Sequence, residues 1–568
     1  MKIKASDYIA SFLAEQGVHT VFGYIGGMIT HLVDSIARTP GMQFVQAYHE
    51  QSAAFAAEGY SIENGKLGVA ISTSGPGATN MMTGIADSWF GSIPVLYISG
   101  QVNSYEYKYD KPIRQQGFQE TDIVSIVKPV TKYAALVDDA QNLRYELEKA
   151  VYLAQSGRRG PVLLDICMDV QRAEINPSEL KSFVPEEVKS EKNYEISEIA
   201  AMLSAARRPM FLFGAGVQSE KARALVSAIL EKTQIPAVCS LMGLGVVNSD
   251  YDYYLGLLGS YGNRCANKSM QYVDLLIAVG TRLDTRQTGA KYESFVEQGK
   301  IIHVDIDNNE LASHRLQNRM KVCDSAEHFF ETILSVMNDT PDYTEWHQQI
   351  DGLKDKYSQK SEVDGYVPNK SPYRLMDKIN EYAKDTDVFV ADIGHNQMIA
   401  AQTLKVKGNQ KFVTSGGLAP MGFSLPISAG ITMANPKRRA ISINGDGGFH
   451  LASQSLMLIS QYDLPVIVFI VNNESLGMIT QFQSLYFDGR MNATTNRGGY
   501  KTPDYQQITE AYGLRYYRID ESSLADSSLM GRIFAERNCV VDFWTDGLTT
   551  ISPKLEYNKP IYQPTPDW

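Results

Sequence analysis

At 568 residues, 44% hydrophobic and 21% charged, the chain has the make-up of a globular protein, long enough for about three domains at ~100–200 residues each. Its net charge of −11 argues against nucleic acid or an anionic membrane as the main partner. The five cysteines (Cys167, Cys239, Cys265, Cys323 and Cys539) are scattered without CxxC spacing, which argues against a disulfide framework or a structural zinc site.

The first segment, MKIKASDYIASFLAEQGV, sets Tyr8, Ile9, Phe12 and Leu13 at helical spacing and has no continuous apolar run. A secretory signal is not expected. No stretch approaches the ~18–20 apolar residues of a membrane span, so the expected compartment is the cytoplasm. Further along, short apolar runs alternate with helical stretches. The runs are GVAISTS, IPVLYIS, PVLLDI, PMFLFG, LLIAVG, IIHVDID, VFVADIG, RAISING and LPVIVFIVN; helices are predicted over Ala53–Ile62, Ala222–Ile235 and Ser453–Tyr462. This alternation predicts βαβ units with parallel sheets buried on both faces. Two polar stretches, Asn176–Tyr194 and Asn338–Pro372, read as linkers. Domains are therefore expected at residues 1–175, 190–340 and 368–551, followed by a Pro-rich tail over 552–568 that packs across a surface.

The most specific signal is INGDGGFHLASQSLMLISQYDLPVIVFIVNN. A strand runs into Gly445-Asp446-Gly447, a helix follows, and a second strand ends at Asn472-Asn473. One βαβ unit returns the chain to a neighbouring strand end, so Asp446 and Asn473 can face one crevice. Asp supplies one charge, Asn a neutral carbonyl, and the Ser475 backbone a third oxygen, a hard donor set suited to Mg²⁺ shared with a diphosphate. Gly445 and Gly447 allow the backbone close to phosphate.

This motif resembles the signature of thiamin-diphosphate (ThDP) enzymes, and the resemblance extends over nearly the whole chain, closest to the acetohydroxyacid (acetolactate) synthases. It implies an α/β fold of three doubly wound parallel-sheet domains, namely pyrimidine-binding, middle FAD-binding and diphosphate-binding. In FVQAYHEQSAAFAAEGYS, Glu50 matches the family's strand-end HE pair. By resemblance it is the buried acid that hydrogen-bonds the cofactor's aminopyrimidine. STSGPGATN (Ser72–Asn80) resembles the loop that follows this glutamate. TSGGLAPMGFSLP (Thr414–Pro426) matches the loop beneath the cofactor's bend. There the Ala419 carbonyl would hold the exocyclic amine and Met421 would wedge the two rings apart. Ile393, Gly394, His395 and Asn396 match the diphosphate loop, although the synthases carry Gln and His where this chain has His395 and Asn396.

On the substrate side, GYIGG resembles GYPGG, with Gly26 and Gly27 approaching the site across a subunit boundary. GFQE resembles AFQE, with Phe118 walling the pocket and Gln119 reaching the substrate. Lys132 sits in a family-like TK pair and would hold an anionic group. Met478, on the cofactor side, and Phe482, on the substrate side, lie four apart and share a helix face. Tryptophan is typical at the Phe482 position and favours a larger 2-keto acid acceptor, so the chain departs from the family there.

FLFGAG opens the middle segment. With LMGLG, GSYGNRCAN, GTRLDTRQTG, HVDID and Asp324 it resembles the FAD domain of the flavin-containing synthases. Carried over, Gly214, Gly216, Met242, Gly262, Arg282, Asp284, Arg286, Asp305, Ile306 and Asp324 would meet FAD, in a structural role because the reaction has no net redox change.

The expected cofactors are ThDP, Mg²⁺ and FAD. The expected reaction is decarboxylation of pyruvate with transfer of the two-carbon unit to a carbonyl acceptor, either a second 2-keto acid or a nucleotide-linked keto-sugar. The Phe482 position and the tail resemble the sugar-using relatives more closely. A flavin pyruvate oxidase and a non-catalytic protein that kept the fold are alternatives. A nicotinamide dehydrogenase lacks the full GxGxxG with a downstream acid that it needs. Because Glu50 and the metal motif meet across two subunits in the family, a homodimer or homotetramer is implied, with no nucleic-acid or membrane partner.

Overall fold

The computed structural model describes residues 2–186, 194–337, 341–545 and 547–568. Among these, three six-stranded sheets account for all but two short strands, and every pairing within the three is parallel. Runs such as Val95–Gln101, Leu275–Val279 and Val466–Asn472 are buried along their whole length. That is why they read as continuous apolar segments without alternation.

The N-terminal sheet runs in the spatial order Gln43–Gln46, Thr20–Tyr24, Gly68–Ser72, Val95–Gln101, Val162–Cys167, Tyr133–Val137. The C-terminal sheet repeats that topology with Lys411–Val413, Val388–Ala391, Ala440–Gly445, Val466–Asn472, Cys539–Trp544 and Tyr516–Ile519. In both, the first and third strands in sequence lie side by side while their connections leave in opposite directions. A crevice opens at such a switch point. The middle sheet has a different order: Tyr254–Leu257, Ala237–Cys239, Pro209–Phe213, Leu275–Val279, Lys300–Asp305, Arg319–Cys323. This is the arrangement of dinucleotide-binding sheets, with its switch point between Phe213 and Val279.

The outer sheets are joined through two buried helices, Glu50–Asn64 and Ser424–Ala434. Gly59 and Gly430 let their backbones touch. A Cβ on Gly59 would lie 2.3 Å from the Ile427 carbonyl oxygen, and one on Gly430 2.0 Å from that of Ala56. Phe55 meets Phe423 edge-on at 5.7 Å between centroids.

The stretch expected to link the middle and C-terminal domains is not an open linker. Residues 338–340 lie outside the described residues, but Thr344–Lys356 and Gln359–Tyr366 are helices. Trp346, Ile350 and Leu353 fall on one helical face and bury against the middle domain, where the Trp346 indole donates to the Pro209 carbonyl at 2.9 Å. The strong polarity of the other face concealed this apolar stripe. Of the first linker, residues 187–193 lie outside the described residues. The tail has no helix or strand, and its Trp568 stacks on Tyr366.

Candidate active site

The C-terminal switch point gathers three strand ends. Asp446 follows Ala440–Gly445 and is buried. Its Oδ1 accepts from the Gly447 amide at 2.7 Å and from the Tyr500 hydroxyl at 2.8 Å; its Oδ2 accepts from the Ser475 amide at 3.1 Å. Burial pushes the carboxyl up to about 6, with these donors opposing. Asn473 Oδ1 faces the same Ser475 amide at 3.2 Å. Asp446, Asn473 and Ser475 thus share one loop pair. Among the described residues no group of three or more His, Cys, Asp or Glu side chains could hold a metal. One carboxylate, one amide and one backbone carbonyl fit instead a Mg²⁺ ion that draws its remaining ligands from a diphosphate and water.

His395 opens the helix His395–Thr403 and is buried. Neither ring nitrogen reaches a protein partner in hydrogen-bonding geometry. Burial lowers its pKa to about 4, and only the Gln481 side chain favours its protonation. An unpartnered imidazole at a helix N-terminus fits an anionic oxygen of a diphosphate. Asn396 lines the same cavity as His395, and its side-chain amide donates to the Asp392 and Ile443 carbonyls at 2.6 and 3.0 Å, tying two strand ends together. Asp392 accepts from the amides of Ile393, Gly422 and Ser424, which locks the diphosphate loop to the loop carrying Met421.

Asp446, Asn473, Ser475, His395 and Asn396 line one cavity of about 1160 Å³ that runs on to the middle-domain switch point. Ile393, Gly394, Ala419, Met421, Gly445, Gly447 and Met478 line it at the C-terminal end. At the other end it is lined by Gly216, Met242, Gly262, Arg282, Asp284, Arg286, Asp305, Ile306 and Asp324. Gly216 sits against Gly280 closely enough that a Cβ would lie 2.8 Å from the Gly280 Cα. The two arginines present planar donor forks, and Asp305 is pushed up to about 6 by burial. This donor set fits a dinucleotide lying across the strand ends. Gly214 does not line the cavity; its place is taken by close packing on the Gly280 carbonyl.

The N-terminal switch point forms a second cluster, outside that cavity. Glu50 begins its helix with 7% of its surface exposed, and Oε2 accepts from the Asn80 amide at 2.9 Å. Gly77 abuts Glu50 Oε1, and Gly75 abuts the Gln119 carbonyl. Gln119 takes a left-handed backbone at φ 61°, held by a loop whose Glu120 accepts the amides of Lys108, Gln116 and Gly117. Gly26 packs on Thr73, and Gly27 is exposed beside it. Phe118, at 78% exposure, stands out into solvent with Ile25 and Ile113. None of Glu50, Gly27, Phe118 and Gln119 lines the cavity that holds Asp446. One chain therefore carries two separate clusters of candidate residues.

Three family matches follow this division. Residues 3–126 match the thiamine pyrophosphate enzyme N-terminal TPP binding domain, 196–333 the central domain, and 392–542 the C-terminal TPP binding domain. The acetolactate synthase isozyme 2 large subunit of Escherichia coli (strain K12) is 35% identical over 93% of both chains. The Lactococcus lactis subsp. lactis (strain IL1403) acetolactate synthase large subunit is 32% identical over 92% of this chain and 89% of its own. The isozyme 3 large subunit of Escherichia coli (strain K12) is 32% identical over 97% and 96%. The chain belongs to the thiamin-diphosphate enzymes, in the acetolactate synthase family.

Within this acetolactate synthase relative, the two substrate residues carried over by resemblance fare differently. The Lys132 ammonium donates to the Ser156 carbonyl at 2.6 Å and lies outside the cavity. Phe482 lies on the Gly477–Tyr486 helix with Met478, but at 52% exposure it faces outward, packed against Tyr486 and Phe487 at 4.7 and 5.9 Å between centroids. The sequence reading missed Asn80, which supports Glu50, and Tyr500, which supports Asp446. Asn80 closes the quoted STSGPGATN segment, so an amide ending a Gly-rich loop was a usable signal. Tyr500 had none, because the segment before it folds back through an isolated bridge between Ser475 and Thr495.

Proposed function

We propose that this enzyme binds ThDP, Mg²⁺ and FAD, decarboxylates pyruvate and joins the two-carbon unit to a second pyruvate. The observation that carries the reading is the single cavity passing from the Asp446–Asn473 donor pair to the dinucleotide switch point. When bound, ThDP would supply the nucleophilic carbon and the electron sink that decarboxylation of a 2-keto acid needs. The chain's own groups do the rest. Asp446, Asn473 and the Ser475 carbonyl hold the metal; His395 donates to the diphosphate. The Ala419 carbonyl and Met421 orient the rings. Glu50, steadied by Asn80, holds a proton at the aminopyrimidine nitrogen.

A second copy is needed to bring Glu50, Gln119 and Phe118 over the cavity mouth. The exposed apolar set around Phe118, Ile25 and Ile113 supports a homodimer through this face, since contiguous exposed apolar groups mark contact surfaces. The relatives are named large subunits, which favours a further, smaller partner. A different acceptor, such as a nucleotide-linked keto-sugar, is favoured by one observation: the exposed rings of Phe482, Tyr486 and Phe487, a face on which a base can stack.

The test is NMR of products from labelled pyruvate with ThDP, Mg²⁺ and FAD. Sustained acetolactate from pyruvate alone supports the first acceptor. Turnover that waits for an added ketone or keto-sugar supports the second. Bleaching of the flavin by pyruvate would replace both with an oxidase.

A further inference from the structure

The loop Thr414–Met421, which lines the cavity beside the metal site, is gripped from the N-terminal domain by an acid pair to which the reaction assigns no part. Glu58 and Asp87 are buried, at 0% and 3% exposure. Glu58 Oε1 accepts from the Ser88 hydroxyl at 2.6 Å, and that hydroxyl also meets the Tyr97 hydroxyl at 2.8 Å. Glu58 Oε2 has no donor, although it is fully buried. It faces Asp87, and burial beside that second acid raises the Glu58 carboxyl well above the usual range. A proton on Glu58, donated to Asp87, removes both the orphan and the like-charge repulsion.

Asp87 is then free to act as an anion toward the loop. The Ser415 hydroxyl donates to Asp87 Oδ1 at 2.6 Å, and Ser415 Oγ in turn accepts from the Ala419 amide at 3.0 Å. Ala419 has φ 59°, a left-handed backbone that a residue with a Cβ adopts only when held. The grip has a steric component from the same helix: Phe90, one turn after Asp87, presses on Gly417, where a Cβ would lie 2.6 Å from the Phe90 Cβ. Gln397 holds the other end of the loop, donating to the Thr414 hydroxyl and the Ser415 carbonyl at 2.7 and 2.9 Å.

We propose that Glu58, Asp87 and Ser415 form a clamp: protonated Glu58 donates to Asp87, and the Asp87 carboxylate, through Ser415, fixes the Ala419 peptide. Asp87 and Ser415 are thereby positioning residues for the loop that meets the cofactor's rings, and Glu58 keeps their charge at one. The second half of this statement rests on the reading that Ala419 and Met421 face ThDP.

The experiment compares full-length wild type with Ser415→Ala, Asp87→Asn and Glu58→Gln. Hydrogen exchange over residues 415–421 is measured without cofactor, ThDP affinity with Mg²⁺ by calorimetry, and KM for pyruvate in the loaded enzyme. Ser415→Ala and Asp87→Asn are expected to speed exchange at Ala419 and weaken ThDP by roughly 10-fold or more, as for a lost hydrogen bond to a charged group, with KM for pyruvate little changed. Glu58→Gln mimics the protonated acid and is expected to stay within about threefold of wild type in all three. Unchanged exchange in both loop-side variants overturns the clamp. Faster exchange with unchanged ThDP affinity overturns the positioning role and the cofactor-loop reading together, while leaving the grip itself standing. Damage from Glu58→Gln as large as from Asp87→Asn overturns the shared proton. If Ser415→Ala does not fold, the isosteric Asp87→Asn carries the same comparison.

Discussion

The Tyr500 hydroxyl donates to Asp446 Oδ1 at 2.8 Å, so the carboxylate proposed to ligate Mg²⁺ is oriented by a phenol from a segment beyond the helix Gly477–Tyr486. Groups that hydrogen-bond a metal ligand set its angle and basicity. Tyr500→Phe is therefore expected to weaken Mg²⁺ binding by roughly 10-fold while ThDP alone binds as before. Calorimetric titration of Mg²⁺ into the ThDP-loaded protein reads this directly. Equal affinities would mean that Gly447 and Ser475 suffice to hold Asp446.

Glu50 and Asn80 predict a graded pair of effects. Glu50→Gln removes the proton-holding acid and is expected to lower kcat by roughly 10²–10⁴-fold, with ThDP affinity nearly retained. Asn80→Ala leaves the acid but not its anchor, and a smaller loss, about 10-fold, is expected. Steady-state kinetics at saturating cofactor separates the two; full activity in Glu50→Gln would remove Glu50 from the reaction.

Neither ring nitrogen of the buried His395 is hydrogen-bonded within the protein, which motivates a test of its proposed contact to the diphosphate. His395→Ala is expected to weaken ThDP by about 10-fold, with little change for thiamin itself, which lacks the diphosphate. The contrast between the two ligands in a binding titration is the readout, and equal losses would place His395 elsewhere in the site.

The tail is fastened to a buried ion pair between the middle domain and the helix Gln359–Tyr366. Arg264 Nε meets Glu362 Oε2 at 2.5 Å, both side chains being 1% exposed. Ser552 donates to the same glutamate, and Arg264 Nη1 to the Pro564 carbonyl. Breaking one side of such a pair costs about 3–5 kcal/mol because the other charge stays buried. Arg264→Ala is expected to lower the unfolding midpoint and expose the tail to protease, whereas Lys268→Ala, whose partner Asp567 is exposed, is expected to change the midpoint little.

The Glu58–Asp87 pair gives a pH dependence. Both carboxyls are raised by burial, Asp87 from 3.8 to about 6 and Glu58 from 4.5 to well above it. A carboxyl raised by folding contributes stability that is complete below its unfolded pKa and is lost as pH climbs through the folded one. Wild type is expected to lose stability from pH ~4 upward through 6, with a second loss that continues until Glu58 ionises at higher pH. Glu58→Gln lacks the second loss, so its melting temperature should fall less on the alkaline side. Parallel curves for the two proteins would rule the pair out as the source.

The order of apolar runs and helices, and the spacing of Asp446 and Asn473 across one βαβ unit, were legible along the chain because each is a local relation. Strands buried on both faces advertise themselves by continuous apolar character, and a βαβ return has few alternative geometries. The polar helices at 344–366 were not legible as packed elements, because their buried stripe is narrow and its value depends on the middle-domain surface it meets. The same limit hid Tyr500 and the Glu58–Asp87–Ser415 chain, whose members are distant in sequence and bonded only after two domains pack. Three parallel-sheet units and the donor chemistry at their strand ends follow from local pattern in the chain. Which ends open into one cavity, and that Glu50 lies outside it, depend on sheet order and helix packing, long-range choices that no local pattern encodes.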